Sequence, residues 1–171
     1  MRVGLVFGTF APMHLGHMDV INIAKEEMDK VIVVCCGHEG DRGYPTFPLE
    51  LRYELATKEF ADDEKVFVTM LYDTDPEIKK HWNQQQIWNY WVDRMLLHLF
   101  QKELIVARDE LCFYTSEEDY TDLLTSTPQH LKVHKCSRVR PVSGTMIREN
   151  LEGSTELMVS SFAEYVRTTL G

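Results

Sequence analysis

Short β-rich apolar runs alternate with segments of helical period along nearly the whole chain, and few folds accept that order. The runs are Val3 to Phe7, Val31 to Cys36, Val66 to Leu71, Leu111 to Tyr114 and a weaker Leu131 to Val133. Between them the 3.6-residue period predicts helices over Gly16 to Met28, Leu49 to Phe60 and Gln85 to Phe100, with a shorter one over Asp119 to Leu124. Leu104 to Ala107 fits either an extension of the third helix or a strand. Strand-helix alternation demands right-handed βαβ crossovers, so the expected architecture is α/β, a five-stranded parallel sheet with helices on both faces. In such a sheet ligands enter at the carboxyl ends of the strands. With no repeat and no linker rich in Pro, Gly or Ser, the 171 residues are expected to form a single domain, 1–171.

Charge narrows the partners. Eighteen Lys and Arg against 27 Asp and Glu give a net charge of −9, which argues against nucleic acid or an anionic membrane as a general partner. No apolar run is long enough to span a bilayer, and the start, Met1 to Phe10, meets Gly4 and Gly8, with Pro12 just beyond, too soon for a signal-peptide core. A cytoplasmic location follows, with Cys35, Cys36, Cys112 and Cys136, which lack CxxC spacing, as reduced thiols. From Lys132 to Arg148 there are five basic residues and no acid, which predicts either a local anion site or a charged edge strand.

The first strand runs straight into Gly8-Thr9-Phe10-Ala11-Pro12-Met13-His14-Leu15-Gly16-His17, where a helical pattern begins. A helix N-terminus in the ligand crevice offers unpaired N–H groups to phosphate, Gly8 and Gly16 permit close backbone approach, and Pro12 stiffens the loop. Two histidines three apart share one side of the first turn and can donate to phosphate oxygens. His-x-x-His also suits zinc, but no third ligand lies at a familiar spacing and HExxH is absent; no metal site is expected. GxxxxGK[ST] and GxGxxG are absent too, which removes the main support for a P-loop kinase or a dinucleotide-binding oxidoreductase.

Gly8 to His17 resembles the GxFxPxHxGH signature of the HxGH nucleotidyltransferase superfamily. Val142-Ser143-Gly144-Thr145-Met146-Ile147-Arg148 resembles its second signature, an ISSTxIR-like segment, with Gly144 in place of the usual second Ser. The resemblance implies a Rossmann-like nucleotidyltransferase fold. VSGTMIREN at 142–150, the W-x-x-W pair Trp88 and Trp91, and Ser116-Glu117 are similar to the adenylyltransferase part of bifunctional nicotinamide-nucleotide adenylyltransferase and ribosylnicotinamide kinase proteins. The RTxGISTT-like end usual in cytidylyltransferases is missing, and pantetheine-phosphate adenylyltransferases, which lack the tryptophan pair, come second. No P-loop follows and no helix-turn-helix segment precedes, so kinase and repressor roles are not expected.

By that resemblance the reaction is adenylyl transfer from ATP to nicotinamide mononucleotide, giving NAD and pyrophosphate. Gly8, Thr9, Phe10, His14, Gly16, His17, Ser143, Thr145 and Arg148 would bind ATP, with His14, His17 and Arg148 catalytic. Ser143 and Thr145 would cap the helix that follows them. Magnesium would arrive with ATP and keep much of its water. Trp88 and Trp91 would hold the acceptor, because an indole face attracts the cationic pyridinium ring. Their spacing with Ile87, Met95 and Leu99 equally suits a buried helical stripe, and the resemblance tips the balance toward one tryptophan as platform and the other as support. A homo-oligomer is left open. A hydrolase, a phosphate sensor and a non-catalytic nucleotide-binding module are the competing classes.

Overall fold

The computed structural model describes residues 1–38 and 40–170. Its five strands are β1 (Arg2–Gly8), β2 (Lys30–Gly37), β3 (Val66–Tyr72), β4 (Glu110–Thr115) and β5 (Lys132–Lys135), all parallel in the order β3-β2-β1-β4-β5. The helices are α1 (Leu15–Glu27), α2 (Leu49–Glu59), α3 (Pro76–Lys79), α4 (Gln84–Gln101), α5 (Glu118–Thr125), α6 (Gly144–Glu149) and α7 (Ser160–Tyr165). Every predicted strand and helix is present.

Runs such as Val31 to Cys36 are continuous in hydrophobicity because both faces of the sheet are covered. Val31, Val33 and Cys35 pack with α1, α2 and α7 through Ile21, Ala24, Ala56 and Phe162, whereas Ile32 and Val34 pack with α4 through Trp91, Val92, Met95 and Leu99. Each such buried side chain is worth roughly 1.5–3 kcal/mol relative to exposure, so strand β2 is held from both sides and its register cannot slip without exposing a whole row.

Leu104 to Ala107 is neither helix nor strand. Glu103, at φ 57, takes the left-handed position after α4; its N–H donates to the Phe100 carbonyl and the Leu104 N–H to the Leu99 carbonyl, 3.0 and 2.9 Å. That 6→1 and 5→2 pattern is a Schellman stop, here without the usual glycine, which is why periodicity missed it. All four cysteines are free. Among the described residues no helix is long and apolar enough to cross a membrane.

The chain runs outward from β1 to β3, then returns past β1 to β4. This reversal puts the topological switch between β1 and β4, with the loops after both strands at the mouth of one crevice.

Candidate active site

A cavity of about 880 Å³ opens at that switch point. Gly8, Thr9, Phe10, His14, Gly16 and His17 line it from the first loop, Ser143, Thr145 and Arg148 from α6, and Trp88 and Trp91 from α4. Every site residue anticipated from the sequence therefore meets in one place, although the two signatures are separated by most of the chain.

The two histidines close the start of α1 themselves. His14 is the N-cap: its Nδ1 accepts the N–H of Gly16 at 3.1 Å and of His17 at 3.4 Å, while the His14 N–H donates to His17 Nδ1 at 3.1 Å. This is a capping box built from imidazoles. It needs Gly16, since a Cβ there would lie 2.9 Å from His14 Cε1. With both Nδ1 atoms accepting, each neutral ring carries its proton on Nε2, a donor. The rings stack with centroids 3.6 Å apart. Burial, reinforced by Arg138 and Arg148 and opposed by Asp19, pushes the His14 pKa down to about 4, and burial with His14 and Arg138 holds His17 well below its ordinary range. The pair is thus two neutral N–H donors at pH 7, a poor general base and a suitable partner for anionic oxygens.

Arg148 reaches back across the sequence: its Nη1 donates to the Ala11 carbonyl at 2.9 Å and its Nη2 to Thr145 Oγ1 at 3.2 Å. Arg148 also lines the cavity, where its guanidinium places a permanent positive charge. Ser143 caps α6, its Oγ accepting the Met146 N–H at 3.2 Å. Thr145 does not cap; it sits at the second helical position and serves Arg148 instead. The backbone at His14 and Met158 forms a bridge, and the Val159 N–H donates to the Met13 carbonyl at 3.2 Å, so the segment after α6 backs the histidine loop.

The basic run 132–148 is less positive than its composition. Arg138 pairs with Glu117, Arg140 Nε with Asp19 at 2.7 Å, and Lys135 with Glu118 at 3.3 Å. Both expectations hold in part: Lys132 lies exposed on edge strand β5, while Arg138, Arg140 and Arg148 line the cavity.

The two tryptophans of the cavity lining divide their labour. Asn83 and Gln86 form a second capping box, 2.9 Å each way, that fixes the start of α4. Trp91 is buried at 6% exposure against Phe7, centroids 4.7 Å apart. Trp88 is half-buried, packed by Tyr120 at 4.9 Å and Phe7 at 5.7 Å. One is core and the other is wall. Sequence reasoning missed Tyr120, Asp73 and Lys79 here; Lys79 Nζ holds Asp73 Oδ2 at 2.7 Å beside the aromatic wall. Among the described residues no three of His, Cys, Asp and Glu gather to hold a metal.

The chain is similar to several known proteins. A protein of Thermus thermophilus named "Probable nicotinate-nucleotide adenylyltransferase" is 32% identical over 127 residues, 73% of this chain and 60% of its own. The phosphopantetheine adenylyltransferase of Caulobacter vibrioides is 41% identical over 66 residues, 39% of each chain. A NadR protein crystallised with NAD and AMP-PNP superposes with a TM-score of 0.73 at 29% identity, covering 94% of this chain and 45% of that one. A bifunctional NMN adenylyltransferase/ADP ribose pyrophosphatase from Francisella tularensis, at 15% identity and a TM-score of 0.73, shares the fold. The chain thus spans three fifths of the Thermus protein and under half of NadR. The cytidylyltransferase-like family model matches residues 5–150, from within β1 to the end of α6 and so across both signatures, and the chain belongs to that family.

Proposed function

We propose that the chain transfers the adenylyl group of ATP to nicotinamide mononucleotide, giving NAD and pyrophosphate. The observation that carries the reading is the shared cavity, lined both by a neutral histidine pair with Arg148 and by an aromatic wall on Trp88. An acceptor-phosphate oxygen attacks the α-phosphorus of ATP, a new P–O bond forms, and the bond to the β-phosphate oxygen breaks with its electrons leaving on pyrophosphate. The nucleophile is already an anion, so no general base is called for. That suits histidines whose Nδ1 atoms are both occupied.

Catalysis then consists of aligning two phosphates that repel one another and stabilising the charge that moves onto pyrophosphate. His17 and His14 would donate Nε2–H bonds to the triphosphate, with His17 nearest the reacting phosphorus, and Arg148 would hold the departing β and γ groups. Magnesium would come bound to ATP, as a hydrated counter-ion and not a resident metal. Trp88 would stack on the pyridinium ring, with Trp91 and Phe7 holding it in place. Unpaired cysteines fit a reducing compartment, and we place the reaction in the cytoplasm.

The test is pyrophosphate release from Mg-ATP with nicotinamide mononucleotide, its nicotinate analogue, phosphopantetheine or FMN as acceptor. A pyridine mononucleotide should be the preferred acceptor. Phosphopantetheine, favoured as second reading by the local identity to the Caulobacter protein, would overturn the assignment if it turned over fastest.

A further inference from the structure

Arg52, on α2, is wholly buried, and a buried guanidinium is costly unless its donors are matched. Here they are. Nε donates to the Phe47 carbonyl at 2.8 Å, Nη1 to the Thr9 carbonyl at 2.9 Å and the Cys36 carbonyl at 3.3 Å, and Nη2 to Asp41 Oδ2 at 2.7 Å. Asp41 in turn accepts the N–H groups of His38 and Gly43. The space is closed around this network: a Cβ on Gly37 would lie 2.8 Å from Arg52 Nη1, and one on Gly43 would lie 2.8 Å from the Ala11 Cβ.

The Thr9 carbonyl belongs to the histidine loop. Two residues on, the Ala11 carbonyl is taken by Arg148. Two guanidinium groups thus grip alternate carbonyls of one loop, and between them Phe10 is held at φ 52, a left-handed conformation that a bulky side chain keeps only when its surroundings over-determine it. A carbonyl turned toward an anion repels it. Holding these oxygens on guanidinium donors removes two such dipoles from the phosphate site.

We propose that Arg52 is a positioning residue for the nucleotide: it sets the Thr9–Phe10 backbone so that the loop presents an anion-accepting face, without itself touching ATP. The inference rests on reading this loop as the triphosphate site. A purely structural Arg52, welding the β2–α2 connection to the sheet, would stabilise the fold and leave nucleotide affinity alone.

Calorimetric titration of the full chain with Mg-ATP, acceptor omitted, separates the two. Arg52→Lys should bind Mg-ATP at least tenfold more weakly at a temperature where circular dichroism reports it folded, while nicotinamide mononucleotide affinity, read by tryptophan fluorescence, changes less than twofold. Gly43→Ala keeps the Arg52 side chain but sets a methyl against Ala11, the Phe47 carbonyl and the Arg52 guanidinium carbon, and should weaken Mg-ATP several-fold in the same pattern. Wild-type Mg-ATP affinity in the folded variants, with only a lower melting temperature, overturns the proposal. If Arg52→Lys does not fold, wild-type affinity in Gly43→Ala overturns it alone. A wild-type chain that binds Mg-ATP but does not adenylylate a pyridine mononucleotide refutes the acceptor reading and leaves this inference standing; one that binds no Mg-ATP refutes both.

Discussion

Mild acid should destabilise this protein more than its carboxylates account for, and the buried histidine pair should be the cause, with His14 supplying a share that can be isolated. The residue is 7% exposed, and its pKa lies at about 4 instead of 6.5 because burial first, then Arg138 and Arg148, disfavour the imidazolium, with Asp19 opposing them. The unfolded chain takes up a proton here near pH 6.5 and the folded chain only near 4, so between those values the unfolded state binds more protons and stability falls as pH falls. A pKa difference of that size is worth about 3 kcal/mol once both states are protonated, and about 2.5 kcal/mol of it is already lost at about pH 4.5. His17, lowered for the same reason, adds loss of the same sign. Asp41, Asp63 and Asp109 have folded pKa values lowered from 3.8, so their stabilisation drains away only below that value, whereas that of Glu50, lowered from 4.5, starts to drain at the bottom of the window and is shared by the wild type and the control.

The control is His14→Asn, which keeps an oxygen to cap α1 but cannot titrate. Urea unfolding followed by circular dichroism, between about pH 7.5 and 4.5, should show the wild type losing about 2.5 kcal/mol more than the variant. In thermal melts of a chain this size that corresponds to about 5–10 °C. If the two stability-pH curves run parallel across the window, His14 is not held neutral by burial and the donor assignment for the pair loses its basis.

Other expected outcomes concern the reaction itself. His17→Ala should lose at least about 3 kcal/mol of transition-state stabilisation, near the upper range for one charge-stabilising donor, while remaining folded; near-normal turnover would refute the phosphate role. Trp88→Ala should raise the acceptor KM roughly thirtyfold, from about 2 kcal/mol of desolvated cation–π energy, with little change in the KM for ATP. Trp91→Ala should instead lower stability by about 3–5 kcal/mol as a core truncation, measured by denaturant unfolding; reversed effects would exchange the two roles. Elemental analysis of protein purified without added metal should find no stoichiometric zinc, and turnover should require magnesium with ATP.

What the sequence could say about the fold it said through period and punctuation. The five strands announce themselves because β-rich runs buried on both faces leave an unbroken apolar signature, and α4 because Trp91, Met95 and Leu99 recur on one stripe. Which of Trp88 and Trp91 forms the wall does not follow from the sequence, since both lie on that stripe; only the third dimension, which buries Trp91 to 6% exposure and leaves Trp88 half-buried, separates them. Arg52 went unnoticed, yet it did leave a trace. It falls at i+3 from Leu49 and at i−3 and i−4 from Leu55 and Ala56, all buried, so a charged residue interrupts the apolar face of α2. A charge in that position needs a buried partner, and nothing in sequence distance identifies Asp41 as that partner.

The second signature explains why the first can work. Arg148 reaches the Ala11 carbonyl across its own helix, and Gly144 leaves space for it there: a Cβ at that position would lie 2.7 Å from Arg148 Nη1. The same end of the chain sets the histidines' charge state. Met158 bridges to His14, Val159 donates to Met13, and Arg148 adds its positive field, so the surroundings that bury His14 and keep it neutral come in good part from residues far away in sequence. Neutral donors are what a reaction between two anions needs when no proton moves, and a permanent guanidinium beside them supplies the charge they lack. On the proposed reading the two signatures act together: the loop without Arg148 would lose the guanidinium that holds its Ala11 carbonyl, and α6 without the loop would be a helix of six residues with one serine cap.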